Sequence, residues 1–333
     1  MAGETVVTPR AALGGVAGIY AALAVLLIVA RPPWEAPDEF DHVRNVETLT
    51  RGKWYEIDRS QGVESHQPPL YYLLEAGWQA TWGVGAREPE AHSSPDCAKH
   101  AFAGDAPRCA LWRHDLPSDG ADTRLLALLR LPGAAFGLGA VLLTAAAARR
   151  LTKDPWTPVV AAAVVATCPA FVIATTSVNN DALAYLLGGV AALLGVVAAR
   201  GDPDGWRLPI TVGVTAGAFV LTKLTLLLLV PGLLLALALA ARSTRIAARL
   251  AVIACGAALR VSAPWLIRNV DLYGDPLAAA ETRDYLERQI PLAFSGESWS
   301  RRAFVTHPRT VWKELWYRSQ HFTWHWWSYI PIW

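Results

Sequence analysis

The chain has 333 residues, of which 53% are hydrophobic and only 17% charged, against about a quarter in soluble domains. With a mean hydropathy of +0.27 this composition predicts a membrane protein. The net charge of +2, with no basic stripe interleaved with aromatics, argues against nucleic acid as a partner.

Residues 11–30 form an unbroken apolar run without a charge. Roughly 20 helical residues cross a bilayer core, so this is the first predicted span. A cleaved signal peptide is the alternative, but the run exceeds the about 7–15 residues of such a segment. The span ends in Arg31-Pro32-Pro33-Trp34-Glu35-Ala36-Pro37-Asp38-Glu39-Phe40-Asp41-His42, which holds Asp38, Glu39 and Asp41 at the water interface. Acids placed there can meet both a lipid-borne substrate and a water-borne one.

Residues 40–51 carry Phe40, Val43, Val46 and Leu49 on one helical stripe, predicting an amphipathic helix on the membrane surface that stops at Gly52. Asp38 stands at its edge, where capping is the alternative role. Ser65-His66-Gln67-Pro68-Pro69-Leu70-Tyr71-Tyr72-Leu73-Leu74 then opens a second short interfacial helix running to about Trp82. Residues 85–120 read as irregular loop and contain Cys97 and Cys109. In an oxidising compartment such a pair can close a disulfide, worth on the order of 3 kcal/mol. A metal site with His92 and His100 and a pair of free thiols are the alternatives, and the spacing matches no standard zinc pattern.

Further spans are predicted at 125–148, 156–175, 182–199, 208–221, 224–241 and 248–267, with an eighth beginning near Trp324. Lys223 divides the fifth from the sixth. Cys168 and Cys255 fall inside spans and are expected to be buried. Arg149, Arg150 and Lys153 follow the second span, and Arg242, Arg245 and Arg249 follow the sixth. The positive-inside rule puts both clusters, and the N-terminus, in the cytoplasm. Residues 31–124 and 268–323 then form two large outer loops of a single transmembrane domain spanning residues 1–333. The expected class is an all-α, polytopic membrane protein with seven or eight spans and interfacial helices in its first outer loop.

Several polar residues fall at the outer ends of spans. Arg130 lies inside the run 125–132, Asn179, Asn180 and Asp181 form the turn between the third and fourth spans, Lys223 follows the fifth, and Arg268 and Asn269 follow the seventh. A charge at bilayer depth costs about 2.5–3.5 kcal/mol on insertion scales, so such residues are paired or face a cavity. Arg130, Lys223 and Arg268 can gather round one anion, with the acids opposite. For Lys223 and Arg268 the alternative is snorkelling, for Asn180 and Asp181 a tight turn with a helix cap, and for Arg130 a structural salt bridge.

The run Pro37-Asp38-Glu39 with Asp41-His42, then His66-Gln67-Pro68-Pro69-Leu70-Tyr71-Tyr72, resembles the polyprenyl-phosphate-sugar-dependent glycosyltransferases of the GT-C fold. The similarity is to the protein mannosyltransferase and aminoarabinose transferase group and a related bacterial membrane family. It continues through Leu129-Arg130-Leu131-Pro132, Asn179-Asn180-Asp181, Leu221-Thr222-Lys223-Leu224 and Arg268-Asn269 to Tyr273-Gly274-Asp275-Pro276. The resemblance implies a catalytic base at Asp38 with Glu39 beside it. It also implies a substrate site formed by Asp41, His42, His66, Gln67, Tyr71, Tyr72, Arg130, Asn180, Asp181, Lys223, Arg268 and Asn269. Members of the group usually carry more spans and often a C-terminal outer domain, whereas this sequence stops at Ile332-Trp333 in an aromatic-rich segment.

The implied reaction transfers a sugar from a polyprenyl phosphate to a glycan, lipid or protein of the cell envelope on the outer face of the cell membrane, with inversion. The alternatives are a transporter or flippase for a lipid-linked substrate, and a non-catalytic scaffold of a glycan-synthesis complex. No P-loop or dinucleotide fingerprint is present. No essential cofactor is expected, because the cations can neutralise a phosphate unaided. A divalent cation on Asp38, Glu39 and Asp181 is the alternative.

Overall fold

A computed structural model describes residues 7–34, 36, 38–57, 63–85, 120–200 and 205–289, and among these every regular element is helical. The helices are α1 (Pro9–Ala30), α2 (Glu39–Thr50), α3 (Leu70–Thr81), α4 (Gly120–Leu151), α5 (Thr157–Ala166), α6 (Pro169–Thr175), α7 (Asp181–Arg200), α8 (Arg207–Thr222), α9 (Val230–Ala240), α10 (Thr244–Tyr273) and α11 (Ala279–Gln289). Short 3-10 segments occupy Val63–His66 and Leu224–Leu229.

The seven predicted span positions within the described residues all carry helix. Four helices, α1, α4, α7 and α10, are long and apolar enough to cross a membrane, and the pair α5–α6 makes five if it counts as one span. The chain is thus a multi-pass membrane protein of the all-α class. The expected eighth span, Cys97 and Cys109 lie outside the described residues.

One span differs from expectation and another is short as expected, each for an identifiable backbone reason. The third is broken into α5 and α6, bent by 65°. Pro169 lacks an N–H and forces the preceding Cys168 into an extended conformation (ψ 116°), so the ladder cannot continue. The fifth, α8, has only 16 residues, because Lys223 turns extended at its C-terminus (φ −161°, ψ 120°). The chain then restarts as a 3-10 segment before α9.

Local chemistry marks the ends of the long helices. The Thr8 hydroxyl accepts from the Ala11 amide at 3.3 Å and Pro9 occupies the first turn of α1. The Ser243 hydroxyl caps α10 in the same way, and Gly274 closes that helix in the left-handed region (φ 71°). The outward faces are apolar, as lipid contact demands: Val29, Leu239 and Val252 are 75%, 74% and 71% exposed. Cys255, expected to be buried, lies on this outward face of α10, and Cys168 is half-buried.

Inside the bundle, α4 lies along α7 and α8 lies along α10. The second contact is close because Gly213 and Gly217 present no side chain. A Cβ on Gly213 would stand 2.2 Å from the Ala254 carbonyl oxygen, and one on Gly217 2.7 Å from Val261 Cβ. Small residues spaced four apart let backbones approach where lipid supplies no hydrophobic drive. Tyr20 supplies a polar tie, donating to Thr175 Oγ1 at 2.8 Å and to the Ala134 carbonyl at 3.2 Å.

The stripe of α2 faces protein rather than lipid. Val43 and Val46 are fully buried in a cluster with Tyr71, Tyr72, Leu126 and Leu129, so α2 and α3 form a cap packed on one end of α4.

Gly213→Ala should lower stability in detergent thermal denaturation by about 1–3 kcal/mol, because α8 and α10 must separate. Gly188→Ala, whose Cβ would meet nothing within 4 Å, should be neutral or slightly stabilising. Equal effects at the two positions would contradict close α8–α10 packing.

Candidate functional site

Charged and amide groups converge at the end of the bundle capped by α2 and α3. Arg130 is 2% exposed. Its Nε and Nη2 donate to Glu39 Oε1 and Oε2 at 2.9 and 2.6 Å. Nη1 donates to the carbonyls of Arg31 at 3.0 Å and Ile28 at 3.4 Å, and Nη2 also donates to that of Pro32 at 3.2 Å. These bonds use all the guanidinium donors and satisfy carbonyls that α1 leaves open at its C-terminus. Glu39 Oε1 also accepts from the Val178 amide at 3.1 Å, and Arg31 donates to the Thr176 carbonyl and hydroxyl, both at 3.1 Å. The structure therefore uses Arg130 and Glu39 to join α1, α2, α4 and the α6–α7 turn.

Asp38 precedes α2 in the left-handed region (φ 57°), a conformation unfavourable for a residue with a side chain. Its side chain makes no capping hydrogen bond to α2. The charges of Asp38 and Asp41 both act on Glu64. His42 is 2% exposed and its Nδ1 shares a 2.7 Å hydrogen bond with the Tyr72 hydroxyl. Burial, with the charges of Lys223 and His66, pushes His42 down to about 3, which keeps it neutral.

Amides link this acidic face to the neighbouring spans. Asn180 Nδ2 donates to Gln67 Oε1 at 3.0 Å and to the Thr222 carbonyl at 3.1 Å. Gln67 Nε2 donates to Glu64 Oε2 at 2.9 Å and lies 3.2 Å from His66 Nε2. Asn45 Nδ2 donates to the Glu64 carbonyl at 2.8 Å, fixing the 3-10 segment on α2. Asn179 Oδ1 accepts from the Asp181 amide at 2.8 Å, the expected tight turn, and Asp181 pairs with Lys223. Burial and the nearby Asp38 carboxylate push Glu64 up to about 7, against the opposing effects of Gln67 and Lys223.

Arg268 approaches from α10. It donates to the Tyr55 carbonyl at 2.7 Å and stacks over Trp265 and Trp54, 4.9 and 5.8 Å from the ring centroids. Its Nη1 is buried without a hydrogen-bond partner among the described residues. Asn269 Nδ2 donates to the Pro276 carbonyl at 3.0 Å, and its Oδ1 has no partner among the described residues. A pocket opens between these elements, lined by Tyr55, His66, Leu224, Trp265, Asn269 and Tyr273 among others.

The sequence-derived candidates thus occupy one end of the fold, but not equivalent positions. Tyr71 and Tyr72 are fully buried and hold the site from beneath; the Tyr71 hydroxyl accepts from the Asn179 amide at 3.0 Å. Glu64, Tyr55 and Trp265 were not singled out from the sequence. Glu64 lies in an aperiodic polar stretch, and its only local signal is its three-residue spacing from Gln67. Among the described residues no group of three or more His, Cys, Asp or Glu side chains is placed to hold a metal ion, and Glu39 is bonded to Arg130 rather than grouped with Asp181.

The sequence profile of the dolichyl-phosphate-mannose-protein mannosyltransferase family matches residues 125–267. No curated protein sequence matches the chain. The fold is similar to a chain of the S. cerevisiae protein O-mannosyltransferase Pmt1-Pmt2 complex bound to the sugar donor, with a TM-score of 0.56 and 16% identity. The match covers 82% of this chain but only 35% of the yeast one. The likeness is one of fold, shared over most of this chain and about a third of the yeast one.

His42 titrates near 6.5 when unfolded and near 3 when folded, so the folded state resists protonation and loses stability as pH falls below about 6.5. Between about pH 7.5 and about pH 5, His42→Gln should lose less stability than the parent, by on the order of 2 kcal/mol. Identical losses in detergent thermal denaturation would show that His42 does not titrate in this way.

Proposed function

We propose that the chain is a membrane glycosyltransferase that moves a mannose-like sugar from a polyprenyl phosphate to a protein, glycan or lipid acceptor at the outer face. The observation that carries this reading is the gathering of acids, amides and two cations at one end of a lipid-embedded bundle. The opposite end bears Arg149, Arg150, Arg242 and Arg245, as expected for a cytoplasmic side.

Asp38 takes the proton from the acceptor hydroxyl as that oxygen forms its bond to the anomeric carbon. The bond from this carbon to the phosphate oxygen breaks, and the leaving polyprenyl phosphate carries away the electron pair. General-base help of this kind is worth about 10²–10⁴-fold. A single base opposite the leaving group inverts the anomeric configuration. Arg268, which retains an unpartnered buried donor, and Lys223, with three ammonium donors, meet the phosphate as charge develops on it. Arg130 supports the site instead of binding phosphate, because its donors are spent on Glu39 and on carbonyls. These cations can balance the phosphate charge unaided.

Asp38→Asn, expressed to the parent level, should reduce transfer from radiolabelled polyprenyl-phosphate-mannose by at least about 10²-fold. Arg268→Ala should mainly lower kcat with the same donor, because it removes a cation that meets charge developing in the transition state. The product linkage should have the anomeric configuration opposite to the donor's. Undiminished transfer by Asp38→Asn would remove Asp38 as the base, and no transfer by the folded parent from any polyprenyl-phosphate sugar would overturn the enzyme reading.

A further inference from the structure

Glu64 is a carboxyl that the reaction scheme leaves unused although it sits among the groups that scheme employs. It belongs to the 3-10 segment Val63–His66, which is fastened on one side to α2 through Asn45 and on the other to the α6–α7 turn through Gln67 and Asn180. Its Oε2 accepts from Gln67 at 2.9 Å. The charges of Asp38, just before α2, and Asp41, on α2, act on it, as does that of Lys223 at the end of α8. The Tyr72 hydroxyl on α3, itself within reach of the Asp181 charge, completes the surroundings. His66 flanks Glu64 on the same segment and packs on Tyr285 of α11, with ring centroids 6.4 Å apart. His42 contributes no charge, being held neutral by burial.

Two ionised aspartates beside a lipid phosphate are tolerable only if the local positive charge balances them. Lys223 is already paired with Asp181. A third ionised carboxylate would add repulsion to the same anion, and one unit charge in a partly buried site weighs roughly several-fold to a hundredfold in affinity. Glu64 is placed so that its proton decides this balance.

We propose that Glu64 is a positioning residue of the donor site, whose protonated carboxyl keeps the acidic face open to a lipid-linked phosphate and whose ionised form repels it. The proposal rests on the donor-site reading above. Its direction follows from the surroundings: burial and the adjacent aspartates hold the proton on Glu64 up to about 7. Donor binding is therefore strong below that pH and weakens above it.

The test measures binding of polyprenyl-phosphate-mannose to the full chain in phosphatidylcholine nanodiscs at about pH 6 and about pH 8. The phosphodiester keeps one negative charge throughout, so any change belongs to the protein. The parent should bind roughly tenfold more weakly at the higher pH. Glu64→Gln, which cannot ionise, should bind with nearly the same Kd at both pH values, whereas Glu64→Asp should retain a pH dependence. A Glu64→Gln variant that keeps the parent's loss would overturn the proposal and assign the dependence to His66. Comparable thermal melting of the variants shows that they fold. No binding at either pH by the folded parent would instead overturn the donor-site reading itself, and the proposal with it.

Discussion

The fork between Arg130 and Glu39 is the interaction on which this end of the molecule depends. A guanidinium within an apolar helix is costly unless every donor is answered, and here a carboxylate and three carbonyls answer them. The bond partners come from separate parts of the chain: the terminus of α1, the start of α2, and through Glu39 the amide of Val178. One satisfied charge pair thus fixes where the first span ends and how the following turn leaves it. The left-handed backbone at Asp38 stands one residue before Glu39, so the position of the candidate base is inherited from this anchor.

A division of labour among the cations follows. Arg130 is saturated and structural. Arg268 is held by two aromatic faces and one carbonyl, which leaves a buried donor without a hydrogen-bond partner among the described residues. Lys223 sits where α8 ends and the chain turns extended, paired with Asp181. The break in the fifth span is therefore what presents the ammonium at the site. In the same way the tight turn after α6 presents Asn180 to Gln67. The irregular backbone at the site end lies where side-chain amides and hydroxyls can satisfy it, which is the only place a membrane bundle tolerates such backbone.

Much of the architecture was legible because lipid imposes a simple rule. Apolar runs of sufficient length mark spans, and the polar residues at their ends must then lie at the same depth. That reasoning located the six segments beyond the first, the break at Lys223, and the convergence of Asp38, Asn180, Lys223 and Arg268 on one end. It did not reveal the partner of Arg130, because Glu39 is 91 residues away and several acids stood equally close in the sequence. Hydropathy also continued smoothly through Cys168-Pro169, hiding a 65° bend that only backbone sterics produce. Tyr71 and Tyr72 looked like surface aromatics of an interfacial helix, yet both are buried because α3 is wedged against α2 and α4. Glu64 left no periodic signature, since a four-residue 3-10 turn has none to leave.

The most direct test of this account is a double-mutant cycle on Arg130 and Glu39, read as unfolding free energy in detergent. Removing one member strands a buried charge, so Arg130→Met and Glu39→Gln should each destabilise by about 3–5 kcal/mol. The double variant should be far less destabilised than the sum of the two, with a coupling energy of at least about 2 kcal/mol. Additive losses would mean that the two side chains act independently, and the anchor on which the placement of Asp38 rests would be refuted.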